Sequence, residues 1–449
     1  MTYPLSAIQD LAAERKSALA TGPFGSSIGR KTFQDHGVPV IRGSNLSEAV
    51  GLRLNDSGLV FIDPSLADKF SRSKAVRGDL VFTCWGTVNQ VGLIDECSEY
   101  EEYIVSNKQM KLSSDPEKAD PLFLYYYFSS PLGQQAIADN TIGSSVPGFN
   151  LTALKSIRVP NPPLEVQRGI SQLLGSLDDK IELNRRMNET LEEMARALFR
   201  DWFVDFGPTR RQAEGAIDPA AIMGHAFPPE KAAPLAPLFP AKLGDDGLPE
   251  RWRHGTAADH IDFNPKEPLK KGIIAPYSDM ASLPTSGSLI APAVDRDFKS
   301  GMRFRNGDAL IARITPCLEN GKAGFVDYLT DEAPVGWGST EFFVLRSKPH
   351  VAPQFAYCLI RDPDFRKRAE LSMTGTSGRQ RAQLEMLTSH ELAIPAESVH
   401  AEFETITTPF FAKIKANGQE NQTLAALRDL LLPKLMSGEI RLKDAEASV

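Results

Sequence analysis

Apolar residues return at steps of three and four along two long stretches of this chain, and the two stretches copy one another. In the first they run Val166, Ile170, Leu173, Leu177, Ile181, then Leu191, Met194, Leu198 and Trp202. In the second they run Phe403, Ile406, Phe410, Ile414, then Leu424, Leu427 and Leu431. This spacing predicts one long amphipathic helix in each stretch. The first occupies residues 161–206. Asn161-Pro162-Pro163 suits an opening turn, Glu165 favours the dipole there, and Gly207-Pro208 stops it. About 44 residues at 1.5 Å each give a rod of roughly 65 Å, a coiled-coil length rather than a globular one. The second helix occupies residues 396–437.

Both stripes are broken by polar residues at matching places. Asn184 and Asn188 interrupt the first, Asn417 and Asn421 the second. Asparagine in an apolar seam costs stability and fixes register. Antiparallel pairing would set Asn184 against Asn421 and Asn188 against Asn417. Parallel pairing also matches the asparagines, as does a frayed, solvated mid-helix segment. Antiparallel is favoured because a whole domain intervenes before the second helix.

Short apolar runs bounded by glycine predict strands elsewhere, and these are repeated too. Gly78-Asp79-Leu80-Val81-Phe82 returns as Gly307-Asp308-Ala309-Leu310-Ile311. Pro131 returns as Pro363, Gly143 as Gly375, and Val159-Pro160 as Ile394-Pro395, at a shift of about 229–235 residues. That period is far beyond the roughly 20–50 residues of a solenoid repeat. The predicted fold is therefore α+β. Two similar mixed α/β domains, 1–160 and 251–395, are joined by two long antiparallel coiled-coil helices. A Pro/Gly/Ala-rich linker, 207–250, is expected to be partly extended with a short helix near 219–223, and 438–449 is a tail.

Composition narrows the chemistry. With 42% hydrophobic and 24% charged residues, the chain reads as a soluble globular protein. No apolar run reaches the roughly 20 residues of a membrane span, and the first residues show no signal-peptide pattern. Cys84, Cys97, Cys317 and Cys358 are scattered, which fits reduced thiols in a cytoplasm and no metal site. The net charge of −7 announces no nucleic-acid binder, although one face can be basic while the rest is acidic. Phosphate-binding loops, dinucleotide glycine motifs and nucleophile elbows are absent from the sequence. Asn161-Pro162-Pro163-Leu164 imitates an adenine methyltransferase tetrapeptide but lacks the closing aromatic ring that stacks on a flipped base. Helix capping explains it more simply. The run Arg361, Arg366, Lys367, Arg368, Arg379 and Arg381, with Thr374-Gly375-Thr376-Ser377-Gly378, is either a solvated face or a grip on phosphates.

Several motifs resemble the specificity subunit of type I restriction–modification enzymes. Thr21-Gly22-Pro23-Phe24-Gly25-Ser26-Ser27 with Gly37-Val38-Pro39-Val40-Ile41-Arg42-Gly43 looks like its first target-recognition domain. Leu177-Asp178-Asp179-Lys180-Ile181-Glu182-Leu183-Asn184 and Phe199-Arg200-Asp201-Trp202-Phe203 look like its central helix. Leu243-Gly244-Asp245-Asp246-Gly247-Leu248 leading to Trp252 looks like the entry to a second recognition domain. Glu397-Ser398-Val399-His400 departs from the pattern at the start of the second helix.

The resemblance implies a non-catalytic DNA-recognition subunit of a bacterial or archaeal cytoplasmic complex. Each recognition domain would read half of a split, asymmetric site on double-stranded DNA. The helices would space the halves and dock two methyltransferase (modification) subunits. No cofactor would belong to this chain. S-adenosylmethionine would belong to the modification subunits, and ATP and Mg to restriction/translocase subunits where these join. The DNA-contact candidates in the first domain are Ser26, Ser27, Arg30, Lys31, Arg42, Lys108, Ser144, Ser145 and Asn150. In the second they are Lys270, Lys271, Arg313, Lys322, Thr376, Ser377, Arg379 and Arg381. Each is equally readable as a solvated polar residue or a turn former. A two-headed protein scaffold and a methyltransferase are the competing readings for the whole chain.

Overall fold

A computed structural model describes residues 3–25, 27–143, 147–376 and 378–446. The chain divides into two compact units. One is built from Met1–Glu182 with Asn421–Val449, the other from Leu183–Glu420.

The first unit contains β1 (Leu5–Ala7), β2 (Leu19–Thr21), β3 (Val38–Ile41), β4 (Val60–Ile62), β5 (Lys74–Val76), β6 (Asp79–Thr83), β7 (Val91–Leu93), β8 (Glu102–Val105), β9 (Gln109–Ser113) and β10 (Arg158–Pro160). They form a β1-β10 ribbon and two four-stranded sheets, ordered β2-β9-β6-β7 and β4-β3-β8-β5. Only the β3–β8 pairing in these sheets is parallel.

The second unit contains β11 (Arg253–Thr256), β12 (Ile261–Phe263), β13 (Ile274–Ser278), β14 (Val294–Asp297), β15 (Met302–Phe304), β16 (Ala309–Ala312), β17 (Ala323–Phe325), β18 (Gly336–Gly338), β19 (Phe342–Ser347) and β20 (Glu391–Ile394). The ribbon is β11-β20, and the sheets are β12-β19-β16-β17 and β14-β13-β18-β15. Adding ten to every strand of the first unit reproduces the second, including the parallel pair β13–β18.

The repeated glycine–aspartate motif explains part of this copying. Gly78 and Gly307 turn the chain at φ +87° and +91°, where a side chain would be strained. The aspartates that follow are buried and accept backbone N–H groups from Val76 and Arg305 across the same tight turn. Each meets a cation from the neighbouring strand: Lys111 at 2.9 Å in one unit and Arg346 at 2.7 Å in the other. The cations do not come from the same place. Asp79 lies opposite Ser113, two residues from Lys111, whereas Arg346 occupies the position equivalent to Ser113.

The helices follow the stripe. Leu164–Phe199 is continuous for 36 residues and Glu397–Ser437 for 41. Within the first unit Asp178 meets Arg428 and Ile181 meets Asn421. Within the second, Asn184 meets Glu420 and Asn188 meets Asn417. Numbers rise on one helix as they fall on the other, so each unit holds an antiparallel helix pair. The fold is α+β with two sheet-containing units.

Each core packs one sheet face on a buried helix and on the long helices. In the first unit Pro121–Ser129 supplies Phe123, Tyr125, Tyr126 and Phe128, joined by Ile170 and Leu174 and by Leu431, Leu432 and Leu435. In the second, Pro353–Arg361 packs with Phe199, Trp202, Phe203 and Phe403. Each buried aromatic or leucine side chain stabilises its unit by about 1.5–3 kcal/mol.

The first helix does not stop at Phe199: its last turn, Arg200–Val204, continues as a wider π turn. Two expectations change, the place of Met194 on the seam and the extended linker. Met194, placed on the seam by spacing, is 49% exposed while Ala195 is fully buried. There the stripe turns to face the second unit's aromatic core. The linker is also folded rather than extended. Helices Gly207–Ala213, Pro219–Ile222 and Pro229–Leu235 carry Ala220, Ile222, Met223, Leu235 and Phe239 into that core. Pro208, Pro219, Pro229 and Pro237 sit in first helical turns, where the ring is tolerated, instead of holding the chain extended. The tail also folds: Leu442–Glu446 is helical, and Leu442 lies so close to Gly169 that a Cβ there would come within 2.3 Å of it.

Candidate nucleic-acid interface

In the first unit a cleft of about 580 Å³ opens beside β3, β6 and the β8–β9 turn, with Arg42, Trp85, Gln90, Asn107 and Lys108 on its walls. Arg42 follows β3. Its Nη2 donates to the Gly58 carbonyl at 2.8 Å, and its guanidinium stands 6.0 Å from the Phe33 ring centre. Lys108 is exposed at the β8–β9 turn, whose carbonyl at that residue accepts Cys84 N–H at 2.7 Å. Asn107 donates to the Gly25 carbonyl at 3.2 Å, and Gln90 accepts from Thr83 Oγ1 at 3.3 Å. Trp85 is 49% exposed and pairs with Gly148, where a Cβ would come within 2.5 Å of the indole. A half-open indole, two cations and several amides can stack on bases, bond base edges and hold phosphates.

The equivalent place in the second unit is built from charge. Glu341, at the turn entering β19, accepts Arg381 Nη2 at 2.7 Å on Oε1 and Arg381 Nε at 2.9 Å on Oε2. Arg313 Nε reaches Oε2 at 3.1 Å. Arg381, foremost, and Arg313 hold the Glu341 carboxyl below the ordinary glutamate range. Arg313 also lies 5.6 Å from the Phe343 ring centre.

The remaining candidates scatter. Arg30 and Lys31 are exposed in the turn Arg30–Thr32, and Ser27 Oγ donates to the Phe24 carbonyl. Asn150 caps the helix Leu151–Ser156, its Oδ1 accepting Ala153 N–H at 2.9 Å. Lys270 and Lys271 are exposed ahead of β13. Lys322 is half-buried and donates to the Met280 carbonyl at 2.7 Å. Thr376 and Arg379 are exposed, with Arg379 N–H on the Thr376 carbonyl. Ser26, Ser144, Ser145 and Ser377 lie outside the described residues. The structure thus brings together Arg42 with Lys108, and Arg313 with Arg381.

Two residues of the basic run around Arg366 are tied to the protein itself. Arg361 is buried and spends its donors on Tyr357 Oη and on the carbonyls of Thr285, Gly287, Gly321 and Ala323. Arg368 donates to the Met386 and Ser389 carbonyls. A guanidinium that ties loop carbonyls together looks, in sequence, like a solvated charge. Asn161 is likewise structural: its amide donates to Ser6 Oγ and its carbonyl accepts Gln167 Nε2 at 2.8 Å. Sequence reasoning passed over Glu341 and Trp85 as site residues. No sequence motif marks Glu341; its match to Lys108 comes from the backbone, Arg313 N–H donating to its carbonyl as Cys84 N–H does to that of Lys108.

The four asparagines lie on the helix pair. Asn417 is buried and its Nδ2 donates to Asn188 Oδ1 at 2.8 Å. Asn184, also buried, donates to Glu420 Oε2 at 2.8 Å, and Asn421 to the Ile181 carbonyl at 3.3 Å.

Residues 31–193 match the model of a type I restriction modification DNA specificity domain. The chain is 25% identical to the type I restriction enzyme HindI specificity subunit of Haemophilus influenzae, over 76% of this chain and 82% of that one. It is 26% identical to the MjaIX specificity subunit of Methanocaldococcus jannaschii, over 72% and 69% of the two chains. In fold it is similar to the crystal structure of a type I restriction–modification S subunit from M. genitalium, with a TM-score of 0.53 and 16% identity over 97% and 96% of the chains. A matching domain across the first repeat and alignments running through both repeats make this chain similar to the specificity subunits of type I restriction–modification systems.

Proposed function

We propose that this chain reads a DNA target sequence in two parts, one per unit, within a complex of restriction–modification subunits. The observation that carries this reading is a pair of units with one topology and different chemistry at the equivalent turn: Lys108 and Trp85 in one, Glu341 with two arginines in the other. A shared frame with divergent display is what two readers of unlike half-sites require. Phosphate contacts would set register, and side chains reaching base edges would set sequence. Methyl transfer would be done by modification subunits that bring S-adenosylmethionine, two of them docked on the helix pairs. ATP-driven restriction subunits would join in a system that cleaves. No helix of the described residues is long and apolar enough to cross a membrane.

The test is to map methylated adenines genome-wide in cells that carry the partner subunits, with and without this chain. The expected result is a bipartite motif that vanishes with the chain. Replacing residues 1–160 by another recognition domain should change one half of it only. A motif that persists without the chain, or changes in both halves, would refute two independent readers.

A further inference from the structure

Three positions differ together between the two reading turns. Cys84 N–H donates to the Lys108 carbonyl at 2.7 Å, and Arg313 N–H donates to the Glu341 carbonyl at 2.9 Å. Trp85 bridges to Gly148 as Ile314 bridges to Arg381. Ile142 bridges to Gly148 as Thr374 bridges to Arg381. The backbone matches hydrogen bond for hydrogen bond. On it, Cys84, Lys108 and Gly148 of the first unit stand where the second unit has Arg313, Glu341 and Arg381. None of the second unit's three groups makes sense alone. Together they put two guanidinium groups on one carboxylate.

Stability does not account for this cluster. Its side chains are 34%, 22% and 42% exposed for Arg313, Glu341 and Arg381, and ion pairs so open to water contribute little. What the cluster supplies is orientation. Arg381 is held at both ends: its backbone N–H and carbonyl both bond Thr374, and its Nε and Nη2 both bond Glu341. Among the described residues, no protein group takes Arg381 Nη1 or either Nη of Arg313. Each guanidinium therefore has one edge fixed and donors left over. A point charge such as Lys108 satisfies a phosphate without any such fixing. A guanidinium held in place matches the paired O6 and N7 acceptors of guanine in the major groove.

We propose that Glu341 is a positioning residue of the second reading site, setting Arg313 and Arg381 to meet guanine edges in the half-site read by that unit. This rests on the reading that each unit contacts DNA. Lys108, its counterpart in the first unit, then serves phosphate, and the two half-sites differ in guanine dependence because of this exchange.

The test uses the complete chain assembled with its modification subunits and DNA libraries randomised across the target. Wild-type complex should require guanine at one or more positions of the second half. Arg381→Lys keeps the charge and loses the fork. Guanine preference at one of those positions should fall about tenfold or more. Glu341→Gln should relax the same position. In both variants the first half should remain unchanged, which reports that the complex is folded and assembled. A second half without guanine overturns the proposal, as does full guanine preference in either variant. So does an Arg381→Gln variant that binds every sequence equally more weakly with a shallower salt dependence, which is the mark of a phosphate contact. A wild-type complex with no sequence preference in either half would instead remove the two-reader function itself.

Discussion

Arg428 Nη1 stands 2.6 Å from Asp178 Oδ1 inside the first unit, where both side chains are less than a tenth exposed. Tyr126 Oη donates to the other oxygen of Asp178 at 2.5 Å, and the same Arg428 Nη1 donates to the Val50 carbonyl at 2.9 Å. One pair thus fastens the last helix, the central helix, the buried tyrosine helix and a surface loop. Arg428→Ala would leave Asp178 buried without its cation. The expected loss is about 3–5 kcal/mol by denaturant unfolding, whereas Asp178→Leu with Arg428→Leu should lose clearly less than the two single changes summed. Additive losses would show that the pair is not coupled.

Asn188 and Asn417 form the polar rung of the second unit's helix pair. Replacing both by leucine removes a hydrogen bond and fills the seam with apolar volume. Stability should stay level or rise by about 1 kcal/mol, while the helices gain freedom to slide. Cysteines placed across the pair would crosslink in one register in the wild type and in more than one in the double variant. A single register in both would show that the rung does not set alignment.

His400 and His260 lie with ring centres 5.3 Å apart inside the second unit, stacked on Phe203 and Phe355 respectively. Burial pushes His400 down to about 3, and His260 also falls below the ordinary histidine value, chiefly through burial, with Asp259 opposing and Lys348 adding to the fall. The unfolded chain takes up protons near pH 6.5 and the folded one resists. Stability from this pair is therefore complete above about pH 6.5 and declines as pH falls, by about 1.4 kcal/mol for each histidine per pH unit at most. His400→Phe should flatten the fall in melting temperature between pH 6.5 and 4.5. An unchanged pH profile would show that His400 does not drive it.

Gly148 is the seat of Trp85. Gly148→Ala would press a methyl into the indole, so the ring must move or the strap carrying residue 148 must lift. A cost of about 1–3 kcal/mol is expected, with a shifted tryptophan emission spectrum. In the methylated motif the first half should weaken and the second should not. A normal first half alongside a displaced indole would take Trp85 out of the reading site.

The repeat was legible because its markers are conformational. Gly78 and Gly307 are needed by the same left-handed turn, and the buried aspartates behind them fix the same strand start, so spacing alone announced two copies. The helices were legible because a seam writes itself at steps of three and four. Chemistry inside the repeats was less so. Arg361 and Arg381 lie in one basic run, yet one is a buried clamp on carbonyls and the other is half-exposed on Glu341. Only the fold separates them. Glu341 carries no motif and becomes noticeable through its backbone match to Lys108. The linker misled because proline in a first helical turn and proline in an extended chain read alike.

Residues from Asn421 onward belong to the first unit, and its core includes Leu431, Leu432, Leu435 and Ala445. During synthesis these leave the ribosome roughly 240 residues after Glu182. At about 5–20 residues per second, the delay is on the order of 10–50 s. The second unit, whose two helix segments bracket it, is complete first. The half made earliest must keep Ile170, Leu174 and its tyrosine helix from other apolar company until the last helix arrives. For this chain, the unit begun first is the unit whose residues are completed last.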